Sequence, residues 1–226
     1  MTDKINPQTL RKFSLFQDLS EDDLLLIRNK LYCKTVKKGE MLLLEGEISK
    51  KLIFVETGWF KSEKTSISGR QQTLRFIGPM EVLNEYSVFS EEPSEAAIIA
   101  LENGKIFYLQ KSDVEILLNQ SPGFSRVVIS NLAKRIQHLL NHVGNLSLFS
   151  VEQRLARYLL DDEEDGLVKR QSWRTQAEIA AQMGTVVDVI NRILQKFERE
   201  RIIEISREHF RILDRNRLRK IIQKAD

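Results

Sequence analysis

At 226 residues the chain is long enough for two modest domains, each able to bury its own core without disulfides or structural metal. A formal net charge of +3 neither demands nor excludes nucleic acid, so the distribution of charge has to decide. One cysteine, Cys33, excludes an intramolecular disulfide; the N-terminus lacks the layout of a signal peptide, and no apolar run reaches the length of a membrane span, so the cytoplasm is the simplest location.

In chain order, SLFQDLSEDDLLLIRNKL (14–31) reads as an N-terminal helical segment, with Ser20 and Asp23 in a capping-box pattern and Leu24, Ile27 and Leu31 at helical spacing. From 33 to 110 the period changes. Glycines at 39, 46, 58, 69, 78 and 104 separate short β-rich runs (MLLLE, LIFVE, WFKSEKTSI, QQTLRFI, KIFYL), as in an antiparallel barrel or roll joined by tight turns. Helical character returns at 113–146, where Ile129, Leu132, Ile136, Leu139, Val143 and Leu146 alternate by three and four residues. That is an a/d seam, narrower than the stripe of a helix lying on its own domain, and it predicts a homodimeric coiled coil.

Ser150 with Gln153 opens another helix through RLARYLL, and the acidic run DDEED (161–165) after it reads as a solvated loop. From about residue 171 onward the balance turns basic, by about four charges. This end contains a short β-like segment LVKRQSW, the stretch EIAAQMGTVVDVINRIL (178–194), a hairpin over 202–213 and a last helix DRNRLRKII.

The stretch 178–194 has the parts of a helix–turn–helix: Ile179, Met183, Ile190 and Ile193 as the buried set, Ala180 where the helices cross, and Gly184 for a positive φ in the turn. Thr185 and Asp188 form a further S/T-x-x-D pattern, which places the start of the second helix at Val186. Its core face is Ile190, Ile193, Leu194 and Phe197; the opposite face carries Val187, Asp188, Asn191, Arg192, Gln195 and Lys196. Asn191 suits adenine, Arg192 guanine or a phosphate, Asp188 cytosine, and Val187 only a thymine methyl. Asp188 has a bland reading as a capping acid, and Arg192 as a phosphate clamp. The hairpin, basic at Arg207 and Arg211, makes a winged arrangement and raises the DNA reading above a helix–turn–helix that touches no DNA. Thr175 and Gln176, where the first helix opens, complete the DNA-binding set.

These parts in this order resemble the CRP/FNR family of bacterial transcription regulators. KKGEMLLLEGEISKKLIFVETGWFK matches the turn glycines of that family's cyclic-nucleotide-binding-type domain, and TQAEIAAQMGTVVDVINRILQKFERE its helix–turn–helix. The resemblance implies an α+β chain. Its parts are an N-terminal double-stranded β-roll of the cupin-like jelly-roll type (1–112), a helical linker with the dimerisation coiled coil (113–148) and a winged helix–turn–helix (149–226). It also implies a homodimer on a palindromic operator of double-stranded DNA, contact with RNA polymerase, and a small-molecule effector in the β-roll.

Two departures matter. Val187–Asp188 stands where members carry an Arg–Glu pair, while Arg192 matches the family's following arginine. In the effector loop LNEYSVFSEEPSEAAIIA, Asn84–Glu85 replaces glycine–glutamate and Glu95–Ala96 replaces arginine and a small hydroxyl residue; with Tyr86 these make the candidate effector pocket. From Phe76 to Gly104 there is no lysine or arginine to hold a phosphate, and a carboxylate in place of a cation turns an attraction of about 4 kcal/mol, at 4 Å and an effective dielectric of 20, into a repulsion of similar size. Cyclic AMP and cyclic GMP are therefore not expected as ligands.

A single cysteine rules out an iron–sulfur cluster. His138, His142 and His209 all lie outside the β-roll, so haem has no histidine there and is left open only through Cys33, a methionine or a chain terminus. His138 and His142, four apart, are too few for a metal site, and Cys33 reads as a small strand residue. The competing reading is a ligand-binding adaptor of the same fold that has lost DNA reading, with Val186 and Val187 as its trace. No phosphate loop, nucleophile elbow or metal-ligand cluster supports an enzyme.

Overall fold

A computed structural model describes residues 5–17 and 19–223. The chain forms two compact units, residues 1–65 with 74–138, and residues 66–73 with 139–226.

The first unit opens with α1 (Pro7–Leu10) and α2 (Glu21–Lys30). Ser20 caps α2 as its pattern predicts, its hydroxyl accepting from the Asp23 amide at 3.2 Å. The helix is shorter than the 14–31 reading: residues 14–17 form turns, and residue 18 lies outside the described residues. Eight strands follow: β1 (Tyr32–Val36), β2 (Met41–Leu43), β3 (Lys51–Thr57), β4 (Phe60–Thr65), β5 (Gln71–Ile77), β6 (Val82–Leu83), β7 (Ala97–Ala100) and β8 (Gly104–Gln110). They make two four-stranded sheets, β1-β8-β3-β6 and β2-β7-β4-β5, the roll expected from the spaced glycines.

The strand period of two divides the core. Leu52, Phe54, Phe107 and Leu109 face the helices, where Phe54 packs on Phe13 and Phe16. Their neighbours Ile53, Val55 and Ile106 turn inward, against Phe60, Ile77 and Ile98. The glycines are not equivalent. Gly58 takes a positive φ of 87° and also lies against Gly104, whereas Gly104 is required by space alone: a Cβ there would meet the Thr57 carbonyl oxygen at 2.4 Å.

Two features depart from the sequence reading. A helix, α3 (Glu85–Ser90), interrupts the β region, entered through Asn84 in the left-handed conformation with φ of 64°. The helical run after β8 is two helices, α4 (Lys111–Gln120) and α5 (Pro122–Leu148), because Pro122 lacks the amide needed to continue one and is suited to begin another. The buried Ser121 hydroxyl accepts from the Phe124 amide at 3.0 Å and helps to open α5.

The second unit contains the end of α5, α6 (Val151–Asp161), β9 (Leu167–Lys169), α7 (Gln176–Gln182), α8 (Val187–Arg199), β10 (Ile203–Ile205), β11 (His209–Ile212) and α9 (Arg215–Gln223). Ser150 and Gln153 form the reciprocal capping box at α6. The hairpin over 202–213 is present, joined by β9 into a three-stranded sheet β10-β11-β9. The acidic run is not simply solvated: Asp162 ion-pairs Arg174, and Glu163, with a side chain only 9% exposed, pairs with Arg215 while accepting from the Gly166 amide at 2.6 Å.

Candidate DNA-binding surface and effector pocket

The helix–turn–helix is built as its sequence requires. The Thr175 hydroxyl accepts from the Glu178 amide at 3.3 Å and caps α7; Ile179 and Ala180 are buried, and Gly184 supplies a φ of 66° in the turn. On α8, Ile190, Ile193, Leu194 and Phe197 are all buried in the second unit's core. Arg154 of α6 ties this turn down, donating to the Met183 carbonyl at 2.8 Å and to the Phe149 carbonyl at 2.7 Å.

One detail of α8 differs from the pattern. Thr185 does not cap it; Val186 occupies the cap in an extended conformation and has no side-chain acceptor to offer. A valine cap leaves Asp188 outside any capping box. Its carboxylate makes no hydrogen bond or ion pair among the described residues and lies exposed in the first turn, where the helix dipole favours a negative charge.

The outward face now sorts itself. Asp188, Arg192 and Gln195 are exposed and without a protein partner among the described residues; Asn191 and Val187 are half-buried, Val187 packing on the second unit's core. Lys196 differs from its sequence reading, because its ammonium lies 2.7 and 3.0 Å from the two carboxylate oxygens of Glu152 on α6. Thr175 is exposed and Gln176, the first residue of α7, half-buried.

In the wing, Arg207 is exposed at the tip between β10 and β11 and unpaired among the described residues, whereas Arg211 faces Glu204 at 3.6 Å. Sequence reading missed Arg170, which fixes the wing by donating to the Ser206 carbonyl at 2.8 Å and lying over the Phe210 ring at 5.2 Å. Neither periodicity nor motif marks it, since its partners come from a hairpin some 36 residues away.

The candidate effector residues are not brought together. Asn84 is buried and donates to the Lys51 carbonyl at 2.8 Å, an architectural bond. Glu85 is buried, accepts from the Asn131 amide group at 3.2 Å and lies 3.9 Å from Arg135. Tyr86 is 52% exposed, Ala96 is buried in the bend just before β7, and Glu95 is exposed and paired with Lys64 at 2.8 Å. Glu85 borders a recess with Phe89, Val128 and Leu132 that is too tight for a water molecule. A cationic group does approach Glu85, but from α5: it is Arg135, whose guanidinium is pulled below its ordinary pKa by burial and by Arg75, while Glu85 and Glu81 oppose this. A scan from Phe76 to Gly104 could not see it.

His138 is exposed and His142 half-buried, and no group of three or more metal-ligating side chains occurs among the described residues. Cys33 is half-buried in β1, against the helix-facing core. Among the described residues no helix is long and apolar enough to cross a membrane.

Comparison with known proteins decides the family. Residues 33–121 match the cyclic nucleotide-binding domain and residues 153–221 the Crp-like helix-turn-helix domain. This chain belongs to the CRP/FNR family. It is 24% identical to the cyclic AMP receptor protein of Thermus thermophilus over 85% of this chain and 88% of that one. It is 22% identical to the CRP-like cAMP-activated global transcriptional regulator of Mycobacterium tuberculosis over 93% and 97%. Among solved structures, a CooA mutant from Carboxydothermus hydrogenoformans shares the fold with a TM-score of 0.76 at 16% identity, covering 98% of each chain. As a CRP/FNR-type transcription regulator, this protein carries a cyclic nucleotide-binding domain and a Crp-like helix–turn–helix.

Proposed function

We propose that this CRP/FNR regulator acts as a homodimer that lays one α8 from each protomer into the major groove of a palindromic site, under the control of an effector other than a cyclic nucleotide. The observation that carries the reading is the outer face of α8. Asp188, Arg192 and Gln195 project from it without a partner among the described residues, while the inner face is anchored by four buried apolar side chains. Free donors and acceptors on a rigid helix are what base edges and phosphates require.

The dimer reading draws support from α5, where Ile129, Ile136, Leu139 and Val143 are between 52% and 68% exposed despite being apolar and in register. An apolar stripe of this spacing is stable in water only against another helix. With both protomers engaged, half-site centres lie about 34–36 Å apart. RNA polymerase is the further partner that family membership brings into view. The effector reading rests on chemistry: the carboxylate of Glu85 is committed to Asn131 and Arg135, and Glu95 offers an anion where a phosphate needs a cation.

Selection of bound sites from random duplex DNA with the purified chain tests the proposal, alongside light scattering of the protein and of a Leu139→Glu variant. A recovered palindrome, a dimer mass and a monomeric, DNA-deficient variant are expected. An unenriched pool, with or without cell extract as a source of effector, would favour an adaptor without DNA reading. Micromolar calorimetric binding of cyclic AMP or cyclic GMP would overturn the effector reading.

A further inference from the structure

A polar cavity of about 160 Å³ lies within the second unit between the last turns of α5, the helix α6 and the end of α7. A water molecule takes roughly 30 Å³ of the liquid, so the space suits a compact solute of a few heavy atoms.

Its lining is basic and has polar atoms to spare. Arg154, Arg157 and Arg174 face Asp161 and Asp162, three guanidinium groups against two carboxylates. Asp162 is committed to Arg174, which also lies over the Tyr158 ring at 4.6 Å. Arg157 is held by Asn145 and by the Phe149 ring at 4.3 Å. Arg154 spends both terminal nitrogens on backbone carbonyls, which leaves its Nε–H buried without a protein acceptor. His142 Nε2 and Gln182 Oε1, from two other elements of the same lining, are also buried without a protein partner among the described residues. Buried polar atoms are nearly always satisfied, and here three of them border one cavity.

What satisfies them is constrained by their types. Arg154 Nε–H requires an acceptor and the positive lining favours an anion, whereas Gln182 Oε1 requires a donor. We propose that the cavity binds a small oxyanion that also carries a hydroxyl group, of the hydroxycarboxylate or hydrogen-phosphate class. Bound there, it joins α7 through Gln182 and α6 through Arg154 and Arg157 to His142 on the last turns of α5. It thereby braces the base of the helix–turn–helix at a place separate from the β-roll.

Calorimetric titration of the full-length protein at neutral pH with inorganic phosphate, glycolate, sulfate and chloride tests this without reference to DNA. Saturable binding of phosphate or glycolate at one site per protomer is expected, the two titrations telling which class is held. Sulfate, an anion of similar shape without a hydroxyl at this pH, should bind at least about tenfold more weakly. Arg157→Gln should weaken binding about tenfold, and Gln182→Met should remove the preference over sulfate while thermal unfolding shows the fold intact. Absence of saturable heat with phosphate and glycolate, or binding that neither variant changes, would reduce the cavity to a hydrated void and overturn the proposal.

Discussion

Lys196 on the outer face of α8 is held by Glu152 of α6, with ammonium-to-carboxylate distances of 2.7 and 3.0 Å. A cation that would otherwise reach a DNA phosphate is thus neutralised by a residue one helix away. Both side chains are partly exposed, at 43% and 31%, so the pair contributes little stability, at most about 1 kcal/mol. Glu152→Gln should leave unfolding nearly unchanged, raise DNA affinity and steepen the dependence of log K on log salt by about one unit, as measured by anisotropy titrations over a salt series. An unchanged slope would mean that Lys196 does not approach phosphate in the complex.

The family resemblance sets Val187 where members carry an arginine, and Val187 is half-buried against the second unit's core. Val187→Arg can extend its longer stem past that core, so the head group should reach a base edge. Base preference at one position per half-site should shift towards guanine by about 1–3 kcal/mol in a competition assay over all four bases. No shift would show that the arginine position is misassigned.

Gly104 lies against Thr57, and a Cβ at 104 would stand 2.4 Å from a backbone oxygen that cannot swing aside. Gly104→Ala should cost about 1–3 kcal/mol or more by denaturant titration, as overpacking does elsewhere. Gly39→Ala makes the contrast: its φ of 82° is strained for alanine, but nothing lies within 4 Å. It should cost only about 1–2 kcal/mol. Equal losses at the two sites would refute the packing account.

Burial and the neighbouring Arg154 hold His142 below its ordinary pKa of 6.5 in the folded chain. The unfolded chain therefore binds this proton first as the pH falls. The neutral histidine favours the fold above 6.5, and that contribution fades as the pH drops towards the lowered folded value. Melting temperature should decline below about pH 6.5, and His142→Gln should flatten that decline. A decline of the same steepness in the variant would assign the pH dependence to other groups.

The sequence by itself determined the order of parts: a glycine-punctuated β-roll, a helix with an a/d seam, and a helix–turn–helix whose apolar set and turn glycine are local. Capping at Ser20 and Ser150 was legible for the same reason, since each motif closes within three residues of itself. Tertiary structure decided what those motifs leave open. The proline that splits the helical run at 122 took effect because buried Ser121 can satisfy the amide of Phe124. Asp188 emerged free because Val186, not Thr185, became the cap. Lys196 was withdrawn by Glu152, 44 residues earlier, and Glu85 acquired partners from α5 that no scan of its own loop contains. Periodicity records which face of an element is buried, because that is a property of one segment. Which charges are free to meet a ligand depends on pairs of distant residues, and only the folded chain brings them within hydrogen-bonding distance.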